Sequence, residues 1–284
     1  MRIALLMCIV LGVASVAFGQ QTSTDHPTVS AVLERTTGGK WTDRRKAFED
    51  ALELMRSGKL TPQEDERLRL GMIQLLLKES TGGLKEPDDE PQADAPENDD
   101  GYHGEEKGDY YSGLISVVAG MNDERAIPAL LAAAGSGGIA TRPIAGFGKK
   151  ALDATLAQIE SKDPDRATGA LHVVRDMLEF RTVSDAESLV RIKNTLRSAL
   201  SSPEYRVRMN AMASIEYLQD RDREEFVPIL REIAAHDPYN GEDVPIIVPG
   251  TEKNDRHIVR HEAERLLVKI ANHERPIGEQ GDKP

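Results

Sequence analysis

The chain has one cysteine, Cys8, among 284 residues. Cys8 sits in an apolar run at the N-terminus. If that run is removed on export no thiol remains, which excludes disulfides and cysteine-based zinc or catalytic sites. Packing alone must then stabilise the fold. Aromatic residues make up only 4%, which argues against an aromatic-lined sugar cleft or a base-stacking surface. No hydrophobic run reaches the length needed to span a bilayer. A basic excess is also missing. The formal net charge is −12, and residues 161–231 hold 12 bases and 12 acids. A nucleic-acid binder needs a clustered basic face, so nucleic acid is not an expected partner.

What the N-terminus does have is Met1, Arg2 and an apolar stretch from Ile3 to Ala14. Ala17-Phe18-Gly19 places small residues at −3 and −1 of a cut before Gln20. A charge, a short apolar core and a small-x-small site make a secretory signal peptide over residues 1–19. The expected location is exported, periplasmic or extracellular, with no stable membrane insertion after cleavage between Gly19 and Gln20. A lipoprotein anchor would need a cysteine at the cut, and Cys8 lies too far forward.

Loss of Arg2 takes the net charge from −12 to −13. Between Glu86 and Asp109 there are 11 acids against Lys107 alone, a local charge of −10, so the rest carries −3. Residues 86–108 are rich in Pro, Gly and acid and nearly free of apolar side chains. Such a segment cannot bury enough surface to offset its ordering entropy and is expected to be a disordered linker or insertion. It lacks the alternating Asp/Asn, the sixth-position Gly and the twelfth-position Glu of a calcium loop.

Helix signals are dense elsewhere. Trp41-Thr42-Asp43 predicts a helix start with Thr42 as N-cap. Phe48, Ala51, Leu52 and Met55 follow as an i, i+3, i+4, i+7 face, and Gly58 is the stop. Thr61-Pro62-Gln63-Glu64 is a capping box with Pro at the first helical position. Its helix carries Leu68, Met72, Leu75 and Leu76 and is expected to end at Gly82-Gly83. Further helices are predicted from Tyr111 to Val118, Asp123 to Leu131, Ile139 to Phe147 and Lys149 to Ile159. The same pattern continues from Arg166 to Phe180, Asp185 to Leu200, Pro203 to Leu218, Glu224 to Ala235 and Ile258 to Ala271. Connections are short and polar, as between antiparallel helices.

The helices repeat. Thr168-Gly-Ala-Leu-His-Val-Val174 resembles Ser112-Gly-Leu-Ile-Ser-Val-Val118. Arg206-Val-Arg-Met-Asn-Ala-Met212 aligns with the helix 41 residues earlier and sets Ala211 on Ala170. A fainter echo sets Val29-x-x-Val32-Leu33 on Ile73-x-x-Leu76-Leu77, 44 residues later. Two-helix repeats of roughly 40–47 residues are those of the HEAT and armadillo type. The stretches ERAIPALLAA (124–133), PEYRVRMNAMASIEYL (203–218), EFVPILREIAAHDPY (225–239) and IVRHEAERLLVKIA (258–271) resemble bacterial HEAT repeats. In these, A-x-P-x-L opens the second helix of a pair and V-R-x-x-A the first. The resemblance covers residues 109–272 and extends more weakly to 28–80. It implies an all-α fold, a right-handed α-solenoid of HEAT-like helical hairpins with a disordered acidic insertion. The expected order is residues 20–85 as an N-terminal repeat-like segment, 86–108 as the insertion, 109–272 as the HEAT-repeat domain and 273–284 as a tail. The step from Ala211 to Ala263 is 52 residues. Its excess, Asp237 to Asp255, contains Val244-Pro-Ile-Ile-Val-Pro249 and reads as an inserted loop or short β-hairpin.

Several chemical readings compete. His257 and His261 are four apart with Glu262 adjacent, a spacing that sets two imidazoles on one helical face for a metal. Ile258 replaces the Glu that a zincin needs after the first His, and the plainer reading is two surface histidines. Arg260-His261-Glu262-x-x-x-Leu266 also resembles the His-Glu motif of deoxyhypusine hydroxylase, a HEAT-repeat di-iron enzyme with four such dyads. Here His261-Glu262 is the one well-placed dyad. His273-Glu274 lies at a helix end, and Leu171-His172 and Met209-Asn210 stand elsewhere. Bacterial HEAT repeats of this type also occur in phycobilin lyases, but no pigment pocket is legible. Gly135-Ser-Gly-Gly138 and Gly38-Gly39-Lys40-Trp41 fail the phosphate-loop test. No Gly-x-Ser-x-Gly elbow occurs.

No catalytic constellation and no cofactor are therefore expected. The function expected is binding: a non-catalytic scaffold that meets an unidentified protein in the cell envelope. Polar residues on the second helices, Arg191, Lys193, Arg197, Glu224, Arg231 and Glu232, are the candidate contacts. The alternatives are a metal-binding or di-iron protein centred on His257, His261 and Glu262, and a structural spacer.

Overall fold

The computed structural model describes residues 28–38, 40–81, 97–241 and 257–274. Among these residues every regular element is helical. The N-terminal group is α1 (Val29–Thr36), α2 (Trp41–Ser57) and α3 (Pro62–Ser80). Then come α4 (Glu97–Gly120), α5 (Ile127–Ala132), α6 (Gly138–Gly146), α7 (Lys149–Ile159) and α8 (Pro164–Glu179). The rest is α9 (Ala186–Leu200), α10 (Tyr205–Ile215), α11 (Asp220–Glu224), α12 (Val227–His236) and α13 (Ile258–Ala271).

The helix starts follow local chemistry. Thr61 accepts from the Glu64 N–H at 3.3 Å, and the Glu64 carboxylate accepts from the Thr61 N–H at 2.9 Å. This is the reciprocal capping box, with Pro62 at the first position. Asp163 and Asp185 cap α8 and α9 through their carboxylates. Gly58 closes α2 in the left-handed conformation, φ 63°, which costs a glycine little.

Three of the boundaries that differ from the sequence pattern have a visible cause. The α2 N-cap is Lys40, with no side-chain bond, and Thr42 lies inside the first turn. Arg44 explains this: its guanidinium reaches back to the Gly38 carbonyl at 3.1 Å and draws the turn in earlier. The helix predicted from Glu224 starts at Val227, and Glu224 ends the separate short helix α11. Pro228 lies in the first turn of α12 and has no N–H to continue a helix from Glu224, and the break leaves Phe226 buried. At the acidic segment, α4 begins at Glu97 rather than near Asp109, so residues 97–108 are helical where a disordered linker was expected. No proline follows Pro96 there to stop the helix. Residues 86–96 and the Val244–Pro249 segment lie outside the described residues, as does the signal-peptide region.

Packing runs along the chain in order. α1 packs on α2 and α3, and α3 packs on α4 and α5. A row of helices then stacks side by side: α4 on α6, α6 on α8, α8 on α10, and α10 on α13. Intervening helices fill a second row, with α5 on α7 and α7 on α9. Close approach in the first row requires small residues. Ala170, Ala211 and Ala263 are fully buried. A Cβ on Gly169 would come within 3.0 Å of the Ala134–Gly135 backbone. The Ser214 hydroxyl donates to the Leu171 carbonyl at 3.1 Å and ties α10 to the backbone of α8.

Candidate functional site

Buried charge marks where each layer is fixed to the next. Arg44 on α2 and Glu79 on α3 pair at 2.5 Å with both side chains fully buried. Tyr110 on α4 donates to the same Glu79 oxygen at 2.9 Å. Burial and the Glu79 charge push the Tyr110 hydroxyl well above its ordinary range, so it stays a donor. On α6, Thr141 donates to Asp176 on α8 at 2.6 Å. Arg208 on α10 makes two bonds to Asp237, at 2.7 and 2.9 Å. Sequence reasoning did not single out these polar residues. A faint signal existed, since Arg208 is part of the V-R-x-x-A motif and Asp237 follows the last helical turn of its pair.

The candidate partner residues divide into two sets. Arg191, Lys193 and Arg197 are engaged within the chain. Arg191 pairs with Asp153 on α7 at 2.6 Å. Lys193 donates to Asp222 and Glu225, both at 2.7 Å. These two carboxylates hold its ammonium above the usual lysine range. Arg197 pairs with Glu225 and lies over the Phe226 ring, 5.2 Å from its centroid. These three side chains stitch α7, α9 and the α11–α12 corner together. Glu224, Arg231 and Glu232 are exposed instead.

The candidate metal residues are not drawn to one point. His257 is the N-cap residue of α13 and contacts the Tyr239 carbonyl through Nδ1 at 3.0 Å. His261 is exposed and contacts Glu264 at 3.4 Å. Glu262 takes Arg265 at 2.5 and 2.8 Å. Among the described residues no three His, Cys, Asp or Glu side chains are placed to hold a metal ion. His172 contacts Asn210 at 2.6 Å, a polar link between α8 and α10.

No model of a known protein family fits the chain, and no curated protein matches it. The functional reading therefore rests on the residues and their geometry. What that geometry offers is a set of helix-to-helix clamps, a half-exposed polar face and shallow grooves between layers. One groove lies where the α8–α9 turn faces the α10–α11 corner, around Tyr217 and Arg223, with a volume of about 400 Å³. A second, of about 660 Å³, lies between the α7–α8 and α9–α10 turns and is lined by Thr195, Ser198, Ser201 and Ser202. Among the described residues, no helix is long and apolar enough to cross a membrane.

Proposed function

We propose that this chain is an exported, non-catalytic scaffold, a right-handed α-solenoid of HEAT-like hairpins that presents one long helical face to another protein of the cell envelope. The observation that carries the reading is the row α4, α6, α8, α10, α13, in which each helix packs on the next in order. An array of this kind spends its apolar surface between layers and leaves an extended polar face for a partner. The A-x-P-x-L and V-R-x-x-A motifs fall on the helices that make the row and its second layer. Internal ion pairs occupy Arg191, Lys193 and Arg197. The partner contacts therefore centre on the exposed Glu224, Arg231 and Glu232.

The test is cross-linking in intact cells, followed by purification of the tagged full chain. The expected result is one envelope protein in stoichiometric yield, lost when Arg231→Glu and Glu232→Arg are combined. An isolated chain with no stoichiometric partner would instead favour a structural spacer. Bound metal by elemental analysis, lost in His261→Ala, would favour the metal-binding alternative. N-terminal sequencing of the exported form should read from Gln20, and a read from Met1 would remove the export argument.

A further inference from the structure

The groove of about 400 Å³ between the α8–α9 turn and the α10–α11 corner has features of a docking site rather than a packing gap. Its apolar lining comes from Leu178, Val183, Leu189 and Leu218, joined by Tyr217. That lining suits one branched aliphatic side chain with its flanking backbone. Most of the charged lining is answered within the chain. Asp222 takes Lys193, and Asp220 takes Arg223. Arg221 is exposed and has no such carboxylate partner among the described residues. The groove therefore carries a cation at its edge and an aliphatic lining within.

Arg223 supplies the second observation. It lines the groove with its side chain only 2% exposed, and its Nε has no hydrogen-bond partner among the described residues. One of its terminal nitrogens donates to the Glu274 carbonyl at 2.7 Å. The Glu274 N–H bonds back to the Lys269 carbonyl at 2.9 Å, and His273 takes the left-handed φ of 52° that turns the chain off α13. The chain thus leaves its last helix bound to a residue of the groove. Residues 275–284 follow as Arg-Pro-Ile-Gly-Glu-Gln-Gly-Asp-Lys-Pro and lie outside the described residues.

We propose that this segment occupies the groove, with Ile277 on the aliphatic lining and Glu279 at Arg221. Ile277 is three residues past the Glu274 anchor, a reach of about 10 Å for an extended chain. Pro276 stiffens the approach, and Gly278 leaves space between the aliphatic and acidic positions. Tethered at Arg223, the segment meets the groove at an effective concentration of order millimolar, so a modest intrinsic affinity suffices. An outside ligand for this groove must displace it. This proposal is independent of the scaffold reading.

Methyl-labelled NMR of the full chain tests it, because Leu178, Val183, Leu189 and Leu218 each report on the lining. A truncated chain ending at Glu274 keeps the Arg223 anchor. In that chain, and in full-length Ile277→Asp, these methyl signals should shift while those of Leu68 and Leu76 on α3 stay fixed. Adding the synthetic peptide of residues 275–284 at millimolar concentration to the truncated chain should restore them. Groove methyl signals of the truncated chain that superimpose on those of the full chain would overturn the proposal. A shift on truncation without one in Ile277→Asp would overturn the placement of Ile277. Arg221→Ala should weaken restoration by the peptide several-fold, and restoration at unchanged concentration would remove the role given to Glu279.

Discussion

Arg208 and Asp237 face each other across the α10–α12 pair with two hydrogen bonds, of 2.7 and 2.9 Å, and with side chains only 6% and 2% exposed. The pair does more than neutralise charge. Arg208 also donates to the Ser202 and Pro203 carbonyls, and Asp237 accepts from the Tyr239 N–H. The Asp237 carbonyl takes Arg260 at 2.8 Å. Tyr239 stacks on Tyr205 at 3.9 Å between ring centroids. One ion pair thus fixes the turn before α10, the end of α12 and the start of α13.

Asp237→Ala leaves a buried guanidinium without its carboxylate. Loss of one partner of a buried pair costs about 3–5 kcal/mol, and the two carbonyls still holding Arg208 place this variant near the lower figure. Urea melts followed by circular dichroism measure it. The exposed pair Arg206–Asp165, at 2.8 Å, is the control. Asp165→Ala should change stability by less than about 1 kcal/mol. Equal costs for the two variants would mean that burial does not govern these pairs.

At the N-terminal layers, Tyr110→Phe removes one neutral donor from Glu79 and leaves its bond to Arg44. The expected cost is about 1 kcal/mol. Glu79→Leu leaves the fully buried Arg44 without this carboxylate, although the Gly38 carbonyl still accepts from it, and should cost about 3–5 kcal/mol. A thermal scan that ranks Tyr110→Phe as the more damaging change would reverse the assignment of Glu79 as the centre of this cluster.

Much of the helical framework was legible because helix ends carry local chemistry. Thr61, Pro62 and Glu64 announce α3, and Lys149 and Ile159 bound α7 as the periodicity predicts. Ala170, Ala211 and Ala263, which the alignment sets on one position, are each fully buried. The misreadings have a different origin. Thr42 has the right side chain for a cap, but Arg44 pulls on Gly38 from within the fold and moves the start to Trp41. Arg191, Lys193 and Arg197 look like a solvated stripe on α9. Their acids lie 28 to 38 residues away, on helices whose position only the stacking reveals. Arg223 and its bond to Glu274, 51 residues on, had no local signature at all.

The small-residue level gives a sharp test of register. Ala211 is fully buried, and the Ser214–Leu171 bond one turn further along α10 leaves little room for α8 to move away. Ala211→Leu adds three carbons at that contact and should cost about 1–3 kcal/mol by overpacking. Ala235→Leu on the exposed side of α12 should stay within about 0.5 kcal/mol of the parent. Hydrogen exchange adds a spatial readout. Protection should fall in α8 and α10 together, because both helices share the contact. A fall confined to α10 would contradict the side-by-side packing.

Glu216 yields the pH prediction. It follows α10 and accepts from Arg265 at 2.8 Å and from Lys269 at 2.5 Å, both on α13. Burial alone would raise its carboxyl, but the bonds from Lys269 and Arg265 outweigh that and hold it below the ordinary glutamate value. The folded state therefore favours the charged form more than the unfolded chain does. Its contribution is complete above the unfolded value, about 4.3, and is lost as pH falls through the lower folded value. Glu216→Gln removes this titration. Parent and variant should differ most in stability at pH 6–7 and converge progressively below about pH 4.3, once the parent carboxyl is also neutral. Urea midpoints at half-unit steps from pH 7 to pH 3 measure the convergence. A difference that stays constant over that range would mean that the α10–α13 contact owes nothing to the charge of Glu216, and that shape alone holds the last helix in the row.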